Sequence, residues 1–186
     1  YKGDILFRIS VNQHRKGEAV LSFASFNDAL RAARLSNNFK VMGSAYSMMS
    51  SFFRVNGVYD RAIEYTIKAK MNYEKANFTE GYVWSEYLLG RIYADLKLPQ
   101  KAQEYFEKAL EMYKEMAIAN GNNNGVALCL EQLGLLFLES GNFEKARENI
   151  ESVLNIYSES ESQYGLSNAY KHMGQIECSM GNYLRA

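Results

Sequence analysis

The stretch SGNFEKA, 140–146, is nearly repeated elsewhere in the chain. NGVYDRA occupies 56–62, KLPQKA 97–102 and MGNYLRA 180–186. The closing alanines, Ala62, Ala102, Ala146 and Ala186, are 40, 44 and 40 residues apart. A period of this length signals one supersecondary unit used again and again. Other positions keep the same period. Four residues after the alanine come Thr66, Phe106 and Ile150, and three further on come Ala69, Ala109 and Val153. Twelve residues before it sit Ser50, Gly90, Gly134 and Gly174, each preceded by Met or Leu. An aromatic follows three residues later in three copies, Phe53, Tyr93 and Phe137, and gives way to Glu177 in the last. Sliding the template back by one period predicts a weaker first copy at Ile9-Ser10, Gly17, Ser22, Phe26, Ala29 and Leu30. Five units result, about 1–40, 41–80, 81–124, 125–164 and a shortened 165–186, read together as one continuous domain.

Each unit reads as two helices. EYLLGRIYADL, 86–96, has apolar residues at helical spacing. A break at Lys97-Leu98-Pro99 follows, with the proline where a first helical turn tolerates it. Ala102, Tyr105, Phe106, Ala109, Leu110 and Tyr113 then share one face of a second helix. Gly141 and Gly181 suit a left-handed residue closing the first helix of their units. Phe143, Tyr183 and Tyr59 are placed to enter the seam between the helices, and the small residues let those helices approach closely. A single proline in 186 residues agrees with long helices. The 44-residue spacing arises in IANGNNNGVAL, 118–128, which reads as a slack surface loop or as a hinge between the first three units and the last two.

LLGRIYADLKLPQKAQEYFEKAL, 88–110, resembles the tetratricopeptide repeat, with its L-G-x2-Y, A-x3-F and Pro pattern. LGLLFLESGNFEKARENIESVL, 133–154, resembles it almost as well. The period is longer than that family's usual ~34 residues, as in kinesin light chains and bacterial signalling proteins. The resemblance implies an all-α, right-handed superhelical solenoid of antiparallel helix hairpins, with a concave face supplied by the first helix of each unit. Carried onto this sequence, that face is Asp4, Phe7, Val11 and His14 in the first unit, and Ser44, Ser47, Ser51 and Arg54 in the second. It continues as Trp84, Tyr87, Arg91 and Ala94, then Leu128, Glu131, Leu135 and Leu138, then Asn168, Lys171, Gln175 and Cys178.

From these stripes the expected partner-binding groove comprises Trp84, Tyr87, Arg91, Arg54, Phe7, Glu131 and Lys171. Trp, Tyr and Arg are the types enriched at binding hot spots, and Trp84 is the only Trp. Packing of Trp84 as core against a neighbouring repeat is the competing reading. Arg54, Arg91 and Lys171 suit ligand carboxylates or intramolecular pairs. The Lys and Asn clamp of the family's chaperone-tail binders is not expected, because Phe7 and Val11 occupy those places.

Chemistry is sparse. His14 and His172 lie in different units, and neither has Cys, Asp or Glu at ligand or triad spacing. No catalytic residues, cofactor or metal are expected, and the chain is not read as an enzyme. Cys129 and Cys178 fit neither a disulfide framework nor a zinc site, which favours a reducing, cytoplasmic setting; a periplasmic one goes with a sensor role. Apolar runs such as Leu135–Leu138 are far short of a membrane span. The formal net charge is zero, arguing against tracking nucleic acid. Residues 1–80 hold 12 basic and 7 acidic side chains and residues 81–186 hold 9 and 14, a lengthwise charge dipole.

The expected function is a protein-interaction scaffold holding a partner peptide or helix in its groove. A second reading is the sensory or regulatory input of a larger signalling protein, such as a histidine kinase, nucleotide cyclase or transcription regulator. The first residue is Tyr1, which suggests a piece of a longer protein. A homodimer through an uncapped C-terminal end, 166–186, is the third.

Overall fold

The computed structural model describes residues 19–181, which form eight α-helices and no strand. They are α1 (Ala19–Leu35), α2 (Phe39–Val55), α3 (Tyr59–Lys75), α4 (Thr79–Asp95), α5 (Pro99–Asn120), α6 (Asn124–Glu139), α7 (Phe143–Glu159) and α8 (Gln163–Ser179). The expected Ile9-Ser10 and Gly17 of the first unit, together with Tyr183 and Ala186, lie outside the described residues. The chain divides into two compact units between Leu96 and Lys97. In each, helices follow one another as antiparallel hairpins, α1 to α4 in the first and α5 to α8 in the second.

Turn chemistry explains the repeated words. The helix-ending residues Gly57, Gly141 and Gly181 have φ of 73°, 77° and 79°, the left-handed conformation that only glycine takes without cost. The next amide closes the turn: Val58 N–H donates to Phe53 O and Asn142 N–H to Phe137 O, both at 2.9 Å. This is the paired closure of a helix C-terminus that satisfies otherwise orphaned carbonyls. Lys97 makes the same turn at φ 58° without glycine, as do Asn37, Asn77 and Glu161 in the turns leading into α2, α4 and α8. Helix starts are capped by Asn38, Asn142 and Ser162, whose side chains accept from Val41, Lys145 and Gly165 N–H, each a contribution of about 1 kcal/mol. Pro99 sits at the first helical position, where its missing donor costs nothing.

The repeat positions are the core. Ala62, Ala102 and Ala146 are completely buried, as are Thr66, Phe106 and Ile150, and Ala69, Ala109 and Val153. The first copy obeys the template too, with Phe26 and Ala29 at zero exposure and Leu30 at 6%. Burying a large apolar side chain of this kind is worth roughly 1.5–3 kcal/mol. A further repeated device is a tyrosine laid on a glycine. A Cβ added at Gly81 would stand 2.5 Å from the ring of Tyr73, at Gly125 2.2 Å from Tyr113, and at Gly165 2.5 Å from Tyr157. Each ring ends one repeat and packs on bare backbone at the start of the next.

The stretch 118–128 corrects the loop reading. Most of it is helix: α5 runs for 22 residues where its counterparts run for 17. Only residues 121–123 connect it to α6. The Met116-Ala117-Ile118-Ala119 run favours helix, so the insertion lengthens α5 by about one turn. Gly121, at φ 71°, then ends it, and Asn120 and Asn122 accept from the amides two residues on.

Candidate functional site

In the first unit the residues of interest come from α2 and α4. Trp84 is partly buried and its ring centroid lies 5.1 Å from that of Tyr87, tilted by 30°. Tyr87 itself is only 3% exposed. The Arg91 guanidinium is 6.0 Å from the Tyr87 ring, at the outer reach of a cation–π contact. The sequence stripe therefore comes together as a cluster: a buried tyrosine lies against a partly buried tryptophan, with an arginine at the edge of reach. Arg54 is committed elsewhere. Its Nη1 donates to Asp95 Oδ2 at 2.5 Å, tying the last turn of α2 to the last turn of α4. Ser44 accepts from the Tyr73 hydroxyl at 3.3 Å, and Ser47 is buried. Burial raises the Tyr73 pKa against the smaller lowering effect of Ser44 and Ser47.

Behind this face Lys70 Nζ meets Glu86 Oε1 at 2.8 Å, with the Glu86 side chain fully buried. Burial opposes the Lys70 charge, but the hydrogen bond and charge of Glu86, helped by Tyr82, hold its pKa above the ordinary value. Neither partner stood out in the sequence, because a glutamate at the α4 position facing α3 breaks the apolar pattern without naming its lysine.

In the second unit the two stripes of α6 and α8 line one cleft of about 760 Å³. Leu135 and Leu138 come from α6, and Lys171, Gln175 and Cys178 from α8; Glu139, Tyr170, Gly174 and Ser179 complete it. Glu131 and Lys171, both expected in the groove, differ in state. Glu131 Oε1 is 3.2 Å from His172 Nε2, and both side chains are largely buried. His172 Nδ1 lies 3.2 Å from Gln175 Oε1. Lys171 is exposed, and no described residue pairs with it. The Glu131–His172 contact escaped sequence reading because its partners belong to different repeats. Tyr157 is held up by burial first and by the Glu131 charge second.

Glu177, where the repeat lost its aromatic, is 2% exposed and accepts from Arg147 Nη2 on α7. The substitution thus replaces an apolar seam contact with a buried ion pair. Phe7 lies outside the described residues. Of the thiols, Cys129 is buried and burial pushes it up to about 12, whereas Cys178 is exposed. Among the described residues no cluster of His, Cys, Asp or Glu could hold a metal ion. No described helix is long and apolar enough to cross a membrane.

Residues 41–115 match the tetratricopeptide repeat family. Among solved structures the chain is similar to BtubC (BKLC) from P. vanneervenii, at 18% identity and a TM-score of 0.78, over 95% of this chain and 72% of that one. It is similar to the apo form of RapI at 16% identity and a TM-score of 0.81, over 99% of this chain and 66% of RapI. A putative kinesin light chain with nearly identical TPR-like repeats from Podosopora anserina aligns at 14% identity and a TM-score of 0.67, over 100% and 94% of the two chains. At these identities the likeness speaks for the fold alone. No curated protein matches the sequence.

Proposed function

We propose, from the match of residues 41–115 to the tetratricopeptide repeat family, that the chain is a protein-interaction scaffold whose first-helix faces hold a peptide or helix from a partner protein. The observation that carries this reading is Trp84. It stays partly exposed while its neighbours Val83, Ser85, Glu86 and Tyr87 are buried. Tyr87 packs against its ring, which lessens the freedom to be lost when a partner covers it. Tyr87 acts as the support, Trp84 as the anchor, and Arg91 as a cation for a carboxylate on the partner. Arg54, paired with Asp95, braces the ends of α2 and α4 rather than reaching for ligand.

A pull-down with the immobilised chain tests this. Wild type is expected to retain a specific protein that Trp84→Ala loses, with the helical content and Tm of the two chains nearly equal. A Tm lowered by many degrees in Trp84→Ala makes the residue core and overturns its assignment.

A further inference from the structure

We propose that the cleft between α6 and α8 docks a partner segment in which one or two apolar side chains lie beside a carboxylate, the apolar groups on Leu135 and Leu138 and the carboxylate on Lys171. This rests on the scaffold reading and names the chemistry of the partner at the second unit. The cleft, about 760 Å³, is of the size that holds several side chains. Leu135 and Leu138 supply its apolar lining. Tyr170 at its wall is 63% exposed, a large aromatic kept in water.

Charge selects the acid. Glu139, the one anion among the described residues lining the cleft, is 3.7 Å from Lys97 in an exposed pair. Glu131, one turn before Leu135 on α6, is taken by His172. Lys171 is exposed and has no ion-pair partner among the described residues. Lys171 and Lys97 together outnumber Glu139 at the cleft, and this excess of positive charge beside leucine complements an acidic, apolar segment rather than a basic one. A basic segment would meet Lys171 and compete with Lys97 for Glu139.

The test is a selection of short random peptides displayed on phage, run on the full chain and in parallel on Lys171→Glu. Recovered peptides are then measured by fluorescence anisotropy on both proteins and by their effect on alkylation of Cys178. That thiol lines the cleft and is exposed, while Cys129 is buried and unreactive at neutral pH. Peptides from wild type are expected to carry Asp or Glu next to Leu or an aromatic, and to slow alkylation of Cys178. They should bind Lys171→Glu roughly tenfold more weakly, the scale of one charge-assisted contact. The Lys171→Glu selection should return Lys or Arg instead. Peptides that protect Cys178 without a carboxylate, or that bind both proteins equally, overturn the assignment of the acid. Peptides that bind and leave Cys178 fully reactive overturn the cleft while leaving the scaffold reading intact. If no peptide is enriched on either protein, both fall.

Discussion

The same seam is built in two ways. In the first unit Ser50 of α2 and Thr66 of α3 are both completely buried, and their hydroxyl oxygens are 2.6 Å apart. Thr66 Oγ1 donates to Ala62 O at 2.8 Å, so Ser50 must be the donor between the two. In the second unit the equivalent residues are Gly134 of α6 and Ile150 of α7. There the isoleucine fills the space that the glycine leaves, and a Cβ on Gly134 would stand 2.9 Å from Ile150 Cδ1. One solution is a hydrogen bond between two small residues and the other is a large residue against none. The repeat therefore conserves a volume and a satisfied polar inventory rather than a residue type.

This comparison can be broken from either side. The largest effect is expected for Thr66→Ile in the first unit. It overfills the seam and strands the Ser50 hydroxyl, costing about 3 kcal/mol in a urea unfolding midpoint. Ser50→Gly combined with Thr66→Ile, which recreates the second unit's solution, should recover most of that loss. Gly134→Ser should cost about 2 kcal/mol through overlap with Ile150, and Ile150→Thr added to it should give part back. Additive effects in either pair would mean that the two residues do not share a seam. Thr66→Val, which removes one hydroxyl and little volume, should cost about 1–2 kcal/mol.

A smaller difference is expected in alkali. Lys70 and Tyr73 both have pKa values raised above their ordinary 10.5 and 10.0. Each contribution is complete below the unfolded value and is lost as pH rises through the folded one. Stability should hold to about pH 10 and fall above it. Tyr73→Phe should flatten that fall; an unchanged slope would remove Tyr73 from the account.

The hairpins were legible because alanine, glycine and aromatic positions recur at a fixed period, and buried positions tolerate few alternatives. The same logic exposes what was hidden. Asn37, Asn77, Lys97 and Glu161 adopt the left-handed turn without glycine, and at Asn37, Asn77 and Glu161 helix-closing hydrogen bonds hold it. The stretch 118–128 looked like a loop because four Asn and two Gly obscure the helix formers before them. At the candidate site, the stripes that the family resemblance implied put Trp84 and Tyr87 on one helix, and Leu135, Leu138 and Lys171 on two others. They could not show that Tyr87 is buried, or that Arg54 is paired with Asp95, Glu131 with His172 and Glu177 with Arg147. Those pairs join different repeats, and a one-dimensional pattern carries no partner assignment.

The two faces differ as well. That of the first unit is aromatic at Trp84, whereas that of the second is an aliphatic cleft with Lys171 exposed at it. Trp84 is the only tryptophan, so its fluorescence reports on one site alone. Acrylamide quenching of the free chain and of the chain saturated with its captured partner is the most direct test that this face binds. Substantial quenching is expected in the free chain and strong protection in the complex. A tryptophan already shielded in the free chain, or equally quenched in both, would contradict binding at this face.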